Sequence, residues 1–368
     1  MSSHVDFVII GHGLAGTALA WALLRRGRSV LVIDRERGGC SRLAAGLITP
    51  ITGKRLAKSW RWGELYPAAV AFYRSLEADT GTTFFHERPA LRLFATEAER
   101  VRSEQRSGIA QAPDIRADWF DAPLGGFEMD AARLDVQRYL DTSREHFESR
   151  GAYLAADVGW HSSRGTGLQT GGGFTGLETG ATNPNTVAPI ELTADGVRLP
   201  SLSVEARALI LCRGFDATAD PWFGSIAFKA AKGEILTVRI PGLAEERVVH
   251  RGIWLAPAGD EVFRAGSTYA WEPLDALPTA DGRAEIEARL RAFLRLPFQV
   301  IDHQAAVRPV IDAGFPALGR HPRFPQLAYF NGLGSKGSLL APFFADQLAT
   351  HLCDGGEIEP QVNVLRFL

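Results

Sequence analysis

The sequence predicts an α/β fold with two domains, one of which is a discontinuous Rossmann-type dinucleotide-binding domain. Residues 5–34 have the pattern of a strand–helix–strand unit, and residues 327–352 that of a strand, a glycine-rich loop and a helix. With 368 residues, of which 46% are hydrophobic, the chain is also long and apolar enough to bury two cores. The middle of the chain is therefore expected to form a second, substrate domain.

The first strand–helix–strand unit has clear local signals. Val5–Ile10 is a short apolar run, typical of a strand buried on both faces, and a helix is predicted over residues 14–26. Ser29–Ile33 is the second strand and leads into Asp34. Between the first strand and the helix lies Gly11-His12-Gly13-Leu14-Ala15-Gly16, a G-x-G-x-x-G motif in the setting that this motif requires.

Each glycine of this motif has a physical reason. Gly11 permits a tight turn, Gly13 lets the backbone approach a pyrophosphate, and Gly16 lets helix and strand pack closely. Asp34 stands about 20 residues beyond the glycines, where a carboxylate accepts ribose hydroxyls and disfavours the 2′-phosphate of NADP. The expected dinucleotide contacts are Gly11, Gly13, Leu14, Ala15, Gly16, Asp34 and Arg35, whereas His12 is expected to face solvent.

Further elements are predicted along the rest of the chain. Helices are expected over 64–80, 131–150, 281–296 and 339–352, and strands over 204–212 and 327–330. The stretch 159–188 is rich in Gly and Thr and has almost no apolar periodicity, which indicates a mobile surface insertion. Lys232-Gly233-Glu234 is interpreted as a turn that opens a strand.

Composition argues against several classes of function. A formal net charge of -2 supplies no basic field for nucleic acid, and the run Lys54, Arg55, Lys58 and Arg61 is typical of a solvated face. The three cysteines lie far apart without metal-ligand spacing, so neither a metal site nor a disulfide is expected, in keeping with a reducing cytoplasm. The apolar run near the N-terminus is too short to span a membrane, which predicts a soluble, cytoplasmic protein.

Four later segments resemble the D-amino-acid oxidase/glycine oxidase family of FAD-dependent oxidoreductases. They are Cys40–Pro50, Ala208–Gly214, Ala306–Pro309 and Phe330–Ser338. They also resemble the oxidase part of the bacterial enzyme that modifies the tRNA wobble uridine. The resemblance implies a discontinuous FAD-binding domain over 1–60, 131–215 and 310–368, and a mixed-sheet α+β substrate domain over 61–130 and 216–309.

The resemblance also implies where FAD is contacted beyond the glycine motif. In Cys40–Pro50, small residues let backbone N–H groups reach phosphate and flavin edges. Val158 and Gly214 are expected near the adenine, and 334–338 near the flavin pyrimidine, at the positive end of the last helix. The implied contacts are Ser41, Arg42, Ala44, Ala45, Gly46, Leu47, Val158, Gly214, Gly334, Ser335, Lys336, Gly337 and Ser338. The absence of a cysteine over 301–319 favours non-covalent attachment.

The resemblance implies three catalytic residues, Arg308, Tyr269 and Lys336. By resemblance Arg308, in an Arg-Pro element, clamps a substrate carboxylate with its planar guanidinium; the alternative is a structural ion pair. The segment 266–271 resembles a strand that enters the substrate pocket, where Tyr269 hydrogen-bonds the substrate and Trp271 forms a wall, or both belong to the core. Lys336 either adds charge at the flavin or faces solvent.

The implied function is oxidation of a small amine or amino acid by FAD, with transfer of hydride to flavin N5, hydrolysis of the imine, and reoxidation by O₂ or another acceptor. One alternative is oxidation of a carboxymethylaminomethyl group on tRNA wobble uridine, with tRNA as the partner. Another is a flavin-binding protein without turnover. An NAD-dependent dehydrogenase is disfavoured by the FAD-type segments.

Overall fold

The computed structural model describes residues 3–53, 55–105, 110–112, 114–158, 186–187 and 190–368. The chain divides into two units by its internal contacts. The first unit contains Met1–Gly39, Leu140–Lys229 and Pro309–Leu368, and the second contains Cys40–Tyr139 and Ala230–Arg308. The predicted insertion 159–188 lies outside the described residues, apart from Thr186–Val187.

The first unit is built on a sheet with a parallel centre. Ser3–Ile10 pairs in parallel with Val30–Asp34 on one side and Val204–Leu211 on the other, and Leu327–Asn331 continues the parallel order beyond Val204–Leu211. The remaining strands of the unit are Tyr153–Ala155, Asp157–Val158, Thr186–Val187, Glu191–Leu192, Val197–Leu199 and Ala317–Arg320. The central strands are buried along most of their length, as their continuous apolar runs predict.

Helices pack on this sheet. Leu14–Arg25 follows the first strand and packs against Gly337–Asp354, the helix that follows Leu327–Asn331. The chain crosses from the second unit to the first within Val136–Glu148. Short 3₁₀ helices lie at Pro200–Leu202, Gly214–Ala219, Gly334–Lys336 and Val364–Arg366. None of the helices in the described ranges is long and apolar enough for a bilayer span.

The second unit contains an eight-stranded mixed sheet. Its order is Gln299–Arg308, Ala231–Arg239, Val262–Gly266, Ile253–Gly259, Val248–Arg251, Ala90–Leu93, Gly126–Met129 and Ala110–Gln111. All neighbours are antiparallel except Val248–Arg251 with Ala90–Leu93. A three-stranded sheet is formed by Leu47–Ile48, Ala132–Leu134 and Phe85–Glu87, and a hairpin by Ile51–Thr52 and Ala57–Lys58. The helices are Cys40–Leu43, Trp62–Thr80, Glu97–Glu104 and Ala280–Arg291.

A parallel α/β unit together with a mixed-sheet unit confirms the predicted fold class. Several predicted element bounds need correction. The helix expected from residue 131 begins at Val136, because Ala132–Leu134 is the middle strand of the three-stranded sheet. The helix expected over 281–296 ends at Arg291. Lys232-Gly233-Glu234 is not a turn, since all three residues lie inside Ala231–Arg239.

The unit boundaries also differ from those expected. Residues 40–60 and 131–139 belong to the second unit rather than to the first. The reason is local pairing: Leu47–Ile48 and Ala132–Leu134 are neighbours in one sheet, and the Leu134 amide donates to the Gly46 carbonyl at 2.9 Å. Residues 216–229 belong to the first unit, where the Lys229 amide donates to the Val310 carbonyl at 2.8 Å.

Candidate active site

The glycine loop of the first unit is determined by close backbone packing. Gly11 has φ +110°, and a Cβ there would lie 2.4 Å from the Cys212 carbonyl oxygen. A Cβ on Gly16 would lie 1.9 Å from the Gly11 carbonyl oxygen, so no side chain can be placed there without moving the backbone. Gly13 precedes the helix Leu14–Arg25 in an extended conformation. The three glycines thus bring backbone without side chains to the N-terminus of this helix, an arrangement suited to a pyrophosphate.

Asp34 holds the loop from the neighbouring strand. Its carboxylate accepts hydrogen bonds from the His12 amide at 2.7 Å and from the Glu36 amide at 2.7 Å. Arg35 is exposed and pairs with Asp216 at 2.5 Å. The expectation that His12 faces solvent is wrong: its ring is buried, with its edge packed against Phe147 and Tyr153. An imidazole is small and flat enough to fill a gap between aromatic rings, and the motif alone does not reveal that gap.

The C-terminal loop meets the same helix. A Cβ on Gly337 would lie 2.8 Å from Leu14 Cδ1, so two predicted contact positions more than 300 residues apart in the sequence are neighbours. Gly334 has φ +57°, Ser335 is exposed and Ser338 is buried. Lys336 is half-buried, and this burial lowers its pKa.

Two further predicted contacts of the first unit lie near the end of the sheet. Val158 is buried in the apolar core. Gly214 has φ +59°, and its carbonyl oxygen accepts from Asn331 Nδ2 at 2.8 Å. Asn331 Oδ1 in turn accepts from the Gly332 amide at 2.8 Å, so this buried amide joins two loops. Sequence reasoning missed its role, although a polar residue that ends an apolar strand before a glycine was a usable signal.

In the second unit, the segment 40–47 is held through its carbonyl groups. Arg264 donates to the carbonyl oxygens of Leu43 and Ala44 at 2.7 and 3.3 Å. Gln137 donates to that of Arg42, and Arg133 to that of Ala45. Gly46 has φ +72°, and a Cβ there would lie 1.8 Å from the Leu134 carbonyl oxygen. The three side-chain donors were missed, because they come from strands and a helix distant in sequence.

The remaining predicted contacts of this segment are placed as follows. Ser41 lies within the short helix Cys40–Leu43, Ala45 is buried, and Leu47 lies in the three-stranded sheet opposite Arg133. Burial raises the pKa of the Cys40 thiol to about 11, and the nearby positive charge of Arg308 partly opposes this shift. The thiol is therefore protonated at neutral pH and is a poor nucleophile.

Arg308 is the last residue of Gln299–Arg308, and its guanidinium is held on one side only. Nη2 donates to Ser267 Oγ at 2.6 Å and to the Thr268 carbonyl at 3.2 Å. Tyr269 lies under the guanidinium, with 4.2 Å from Arg308 Cζ to the ring centroid. Nη1 is buried, and within the described ranges of the chain it has no hydrogen-bond partner. Arg308 forms no ion pair with any described residue, so the alternative of a structural ion pair receives no support.

The backbone beneath Arg308 is glycine for a steric reason. A Cβ on Gly233 would lie 1.9 Å from Arg308 Nη2, which means that the guanidinium occupies the space of the missing side chain. The strand before Tyr269 ends at Gly266, so 267–271 is a loop rather than the expected strand. Tyr269 and Trp271 are both more than half exposed, with fractions of 59% and 54%. The prediction that either belongs to the core is therefore wrong.

Hydrogen bonds fasten this loop, and the segment that follows it, to the strand Ala231–Arg239. Lys232 Nζ donates to Asp275 Oδ1 at 2.6 Å, and the Lys232 and Ala270 backbones exchange hydrogen bonds. The Glu234 carboxylate accepts from the Thr279 amide and hydroxyl, and it lies 2.7 Å from His303 Nε2. The loop is thus tied to the strand at Ala270, and the segment after it is tied at Asp275 and Thr279. Sequence reasoning missed these ties.

Comparison with known proteins shows which family the chain matches. The family model described as "FAD dependent oxidoreductase" (DAO) matches residues 6–351. Glycine oxidase from Bacillus licheniformis is 23% identical over 374 residues, covering 95% of this chain and 93% of that protein. The tRNA 5-methylaminomethyl-2-thiouridine biosynthesis bifunctional protein MnmC from Maricaulis maris (strain MCS10) is 28% identical over 353 residues. That alignment covers 94% of this chain but 52% of MnmC, so the chain spans about half of that relative.

Solved structures agree at the level of the fold. Glycine oxidase from Geobacillus kaustophilus has a TM-score of 0.71 at 18% identity, with 96% of each chain covered. Iminodiacetate oxidase (IdaA) from Chelativorans sp. BNC1 has a TM-score of 0.72 at 21% identity, with 98% of each chain covered. At identities this low, the structural similarity shows a shared fold and nothing further.

Proposed function

The chain belongs to the DAO family of FAD-dependent oxidoreductases, and on that premise we propose that it oxidises a small amine or amino acid that carries a carboxylate. The resemblance noted in the sequence is thereby confirmed, and so is FAD as the cofactor. The proposal rests on the guanidinium of Arg308. Its Nη2 forms hydrogen bonds within the protein, whereas its buried Nη1 has no hydrogen-bond partner among the described residues.

Arg308 is suited to bind a carboxylate. A guanidinium keeps its charge at any physiological pH and presents paired donors that match two carboxylate oxygens. A buried donor without a hydrogen-bond acceptor raises the free energy of the folded protein. A ligand that supplies an oxygen to Nη1 removes this penalty. Ser267 and Thr268 fix the orientation of the guanidinium, and the Tyr269 ring covers one of its faces.

The residues proposed to hold FAD are those predicted from the sequence. In the first unit they are Gly11, Gly13, Leu14, Ala15, Gly16, Asp34, Arg35, Val158, Gly214, Gly334, Ser335, Lys336, Gly337 and Ser338. In the second unit they are Ser41, Arg42, Ala44, Ala45, Gly46 and Leu47. The steric cradles at Gly11, Gly16 and Gly46 support this proposal, because a Cβ at any of them would strike backbone. When bound, FAD supplies the hydride acceptor for oxidation of a C–N bond; the imine is then hydrolysed by water, and O₂ or another acceptor takes up the electrons.

The test is an anaerobic substrate panel in which loss of the visible absorption of the oxidised flavin reports its reduction. Each carboxylated amine is paired with its decarboxylated analogue, such as glycine with methylamine and sarcosine with dimethylamine. We expect the carboxylated member of at least one pair to bleach the flavin and its analogue to fail. Equal bleaching by both members would contradict the carboxylate clamp. No bleaching by any amine would favour the flavin-binding protein without turnover.

A second candidate function is favoured by the MnmC relatives. In it, the same centre oxidises a carboxymethylaminomethyl group on a tRNA wobble uridine. Arg55 and Lys58 of the basic run are exposed, whereas Arg61 pairs with Glu64 and Lys54 lies outside the described residues. Binding of tRNA that weakens steeply with salt, and that Arg55→Gln combined with Lys58→Gln reduces, would support this candidate.

A further inference from the structure

The second unit contains a cavity of about 550 Å³ that the function above does not use. One wall is apolar and comes from the eight-stranded sheet, through Ala90, Val248, Pro257 and Phe263. Another comes from the three-stranded sheet. Among the described residues that line the cavity, none belongs to the Arg308 site; Leu47 and Thr49 lie in the predicted FAD segment Cys40–Pro50, and of these only Leu47 is a predicted contact. Its volume is in the range of small-molecule sites, roughly 300–1,000 Å³.

Arg133 and His86 project from the same face of the three-stranded sheet. Arg133 lies directly opposite His86 on one neighbouring strand and opposite Leu47 on the other, and all three line the cavity. Residues directly opposite each other project from the same face of a sheet, and like charges in that position are unfavourable. Burial lowers the pKa of His86, and the charges of Arg88 and Arg133 lower it further.

Arg133 forms few hydrogen bonds for the number of N–H donors that it carries. Its Nε atom donates to the Ala45 carbonyl at 3.3 Å, and this is its only hydrogen bond to any described residue. No described carboxylate approaches within the 4.0 Å of an ion pair, although Asp135 acts on it from farther away. The side chain is half-buried, and this burial lowers its pKa. A guanidinium carries five N–H donors, so the cavity faces a poorly compensated cation with free donors.

Acidic residues also line the cavity, but most of them are already engaged. Glu245 pairs with Arg247 at 2.7 Å, Glu246 pairs with Arg88 at 3.2 Å, Glu261 accepts from the Gly242 amide at 2.8 Å, and Asp135 accepts from the Arg138 amide at 3.2 Å. Asp260 is exposed to water. Of the two arginines in the lining, Arg88 is paired with Glu246, so Arg133 is the one whose charge a ligand can neutralise, against the remaining negative charge of Asp135, Asp260 and Glu261.

We infer that this cavity is a second binding site, which takes a carboxylate or phosphate group of a small molecule on Arg133, with His86 as a neighbouring hydrogen-bond partner. The apolar wall accommodates the carbon skeleton of that molecule. Charge-assisted hydrogen bonds from arginine to either group are short and geometrically specific. The site is independent of Arg308 and therefore of the proposed substrate.

Isothermal titration of the oxidised holoenzyme with succinate and with inorganic phosphate tests the inference and separates the two chemistries. We expect at least one of them to bind at a site that the Arg308→Gln variant retains with unchanged affinity, whereas any additional succinate site at Arg308 is lost in that variant. Arg133→Gln should weaken binding roughly ten- to a hundredfold, the usual effect of losing a charged hydrogen-bond donor. Arg116→Gln, which removes an exposed arginine paired with Asp118 in the same unit, is the matched control and should leave binding unchanged.

A second variant keeps the test decisive if Arg133→Gln does not fold. Ala258 is exposed where it lines the cavity, so Ala258→Trp should block the cavity without disturbing buried packing. It should abolish anion binding while the FAD content stays at the wild-type level. Binding that Arg308→Gln removes and Arg133→Gln retains would overturn the inference. So would the failure of both anions to bind at millimolar concentration.

Discussion

The glycine loop of the first unit and the Arg308 pocket of the second unit are built on opposite principles. In the loop, Gly11 and Gly16 matter because a side chain on either would strike backbone atoms. In the pocket, one side chain does the work, and the protein shapes the space around it through Gly233 and the loop 267–269. The loop consists of six consecutive residues that pack against Cys212 and Asp34, whereas the residues of the pocket come from three segments of the chain.

This difference determines how each site responds to substitution. Backbone atoms cannot move away from an added side chain without unfolding part of the sheet. The far end of an arginine can move at little cost in stability, but its function depends on where that end lies. We therefore expect substitutions in the loop to remove the cofactor and the fold together, and substitutions in the pocket to separate ligand affinity from stability.

The largest effect is expected from Gly16→Val. Its Cβ would lie 1.9 Å from the Gly11 carbonyl oxygen, and the clash should cost about 3 kcal/mol or more. The protein should purify colourless or aggregated, as judged by FAD absorbance and Tm. Gly38→Val is the control, because nothing lies within 4 Å of a Cβ at that position. A Gly16→Val protein with full FAD content would contradict the steric argument.

Arg308→Ala should follow. Loss of a buried charged partner typically costs about 2–5 kcal/mol, which corresponds to a rise in KM of roughly 30- to 5,000-fold for a carboxylated substrate. FAD content and Tm should change little. Arg308→Lys should restore only part of the affinity, because an ammonium cannot reproduce the planar fork. Steady-state kinetics with unchanged KM in Arg308→Ala would show that the carboxylate binds elsewhere.

Gly233→Ala combines features of both sites. It replaces a glycine, as in the loop, but the added Cβ would clash with a side chain instead of with backbone. The new methyl group would displace Arg308 Nη2, from which it would otherwise lie 1.9 Å. We expect KM to rise by less than in Arg308→Ala, with Tm close to that of the wild type. Gly63→Ala, at a position with open space, should leave KM unaltered. A large fall in Tm together with unchanged KM would mean that the strand, and not Arg308, absorbs the clash.

The tie between Lys232 and Asp275 should show an asymmetric effect. Asp275→Asn leaves the buried Lys232 ammonium without its carboxylate, whereas Lys232→Met leaves a carboxylate that water can reach. Tm should therefore fall further in Asp275→Asn than in Lys232→Met, as differential scanning fluorimetry would show. Equal Tm values in the two variants would argue against a buried charge as the cause.

The same pair predicts a pH dependence. The hydrogen bond from Lys232 lowers the pKa of Asp275 in the folded protein. The ionised carboxylate thus contributes stability above its unfolded pKa, and this contribution is lost as pH falls through the lower, folded pKa. Wild-type stability should drop more steeply than that of Asp275→Asn in this acidic window, measured by urea unfolding at a series of pH values. Parallel curves would contradict the linkage.

Lys336→Met should have the smallest effect. If Lys336 lies at the flavin, removing its charge should lower the reduction potential, by roughly 20 mV or less for a part-screened interaction of up to about 1 kcal/mol. Because burial lowers the pKa of Lys336, the wild type should lose this charge at a pH below that of a solvent-exposed lysine. Potentiometric titration across alkaline pH checks both points, with Lys229→Met at an exposed position as the control. An unchanged potential would place the ammonium in solvent.

Features with local signals could be predicted from the sequence, whereas features that depend on long-range pairing could not. The strands around Gly11-His12-Gly13-Leu14-Ala15-Gly16 were predicted nearly residue by residue, because a buried apolar run and a glycine motif are local signals. The strand Ala132–Leu134 was missed, since its three residues pair with strands more than 40 residues away. His12 was misplaced for a related reason: the rings of Phe147 and Tyr153 that enclose it come from a distant part of the chain.

Features that depend on neighbouring residues could be predicted from the sequence: the α/β class, the glycine loop with Asp34 behind it, and a family resemblance that indicated FAD and Arg308. Tertiary structure decided what depends on long-range pairing. It placed Gly233 beneath Arg308, joined Lys232 to Asp275, and set Arg133 opposite His86. Backbone conformation is limited by sterics within a few residues, whereas the partner of a buried charge is chosen by the register of strands that meet only after folding.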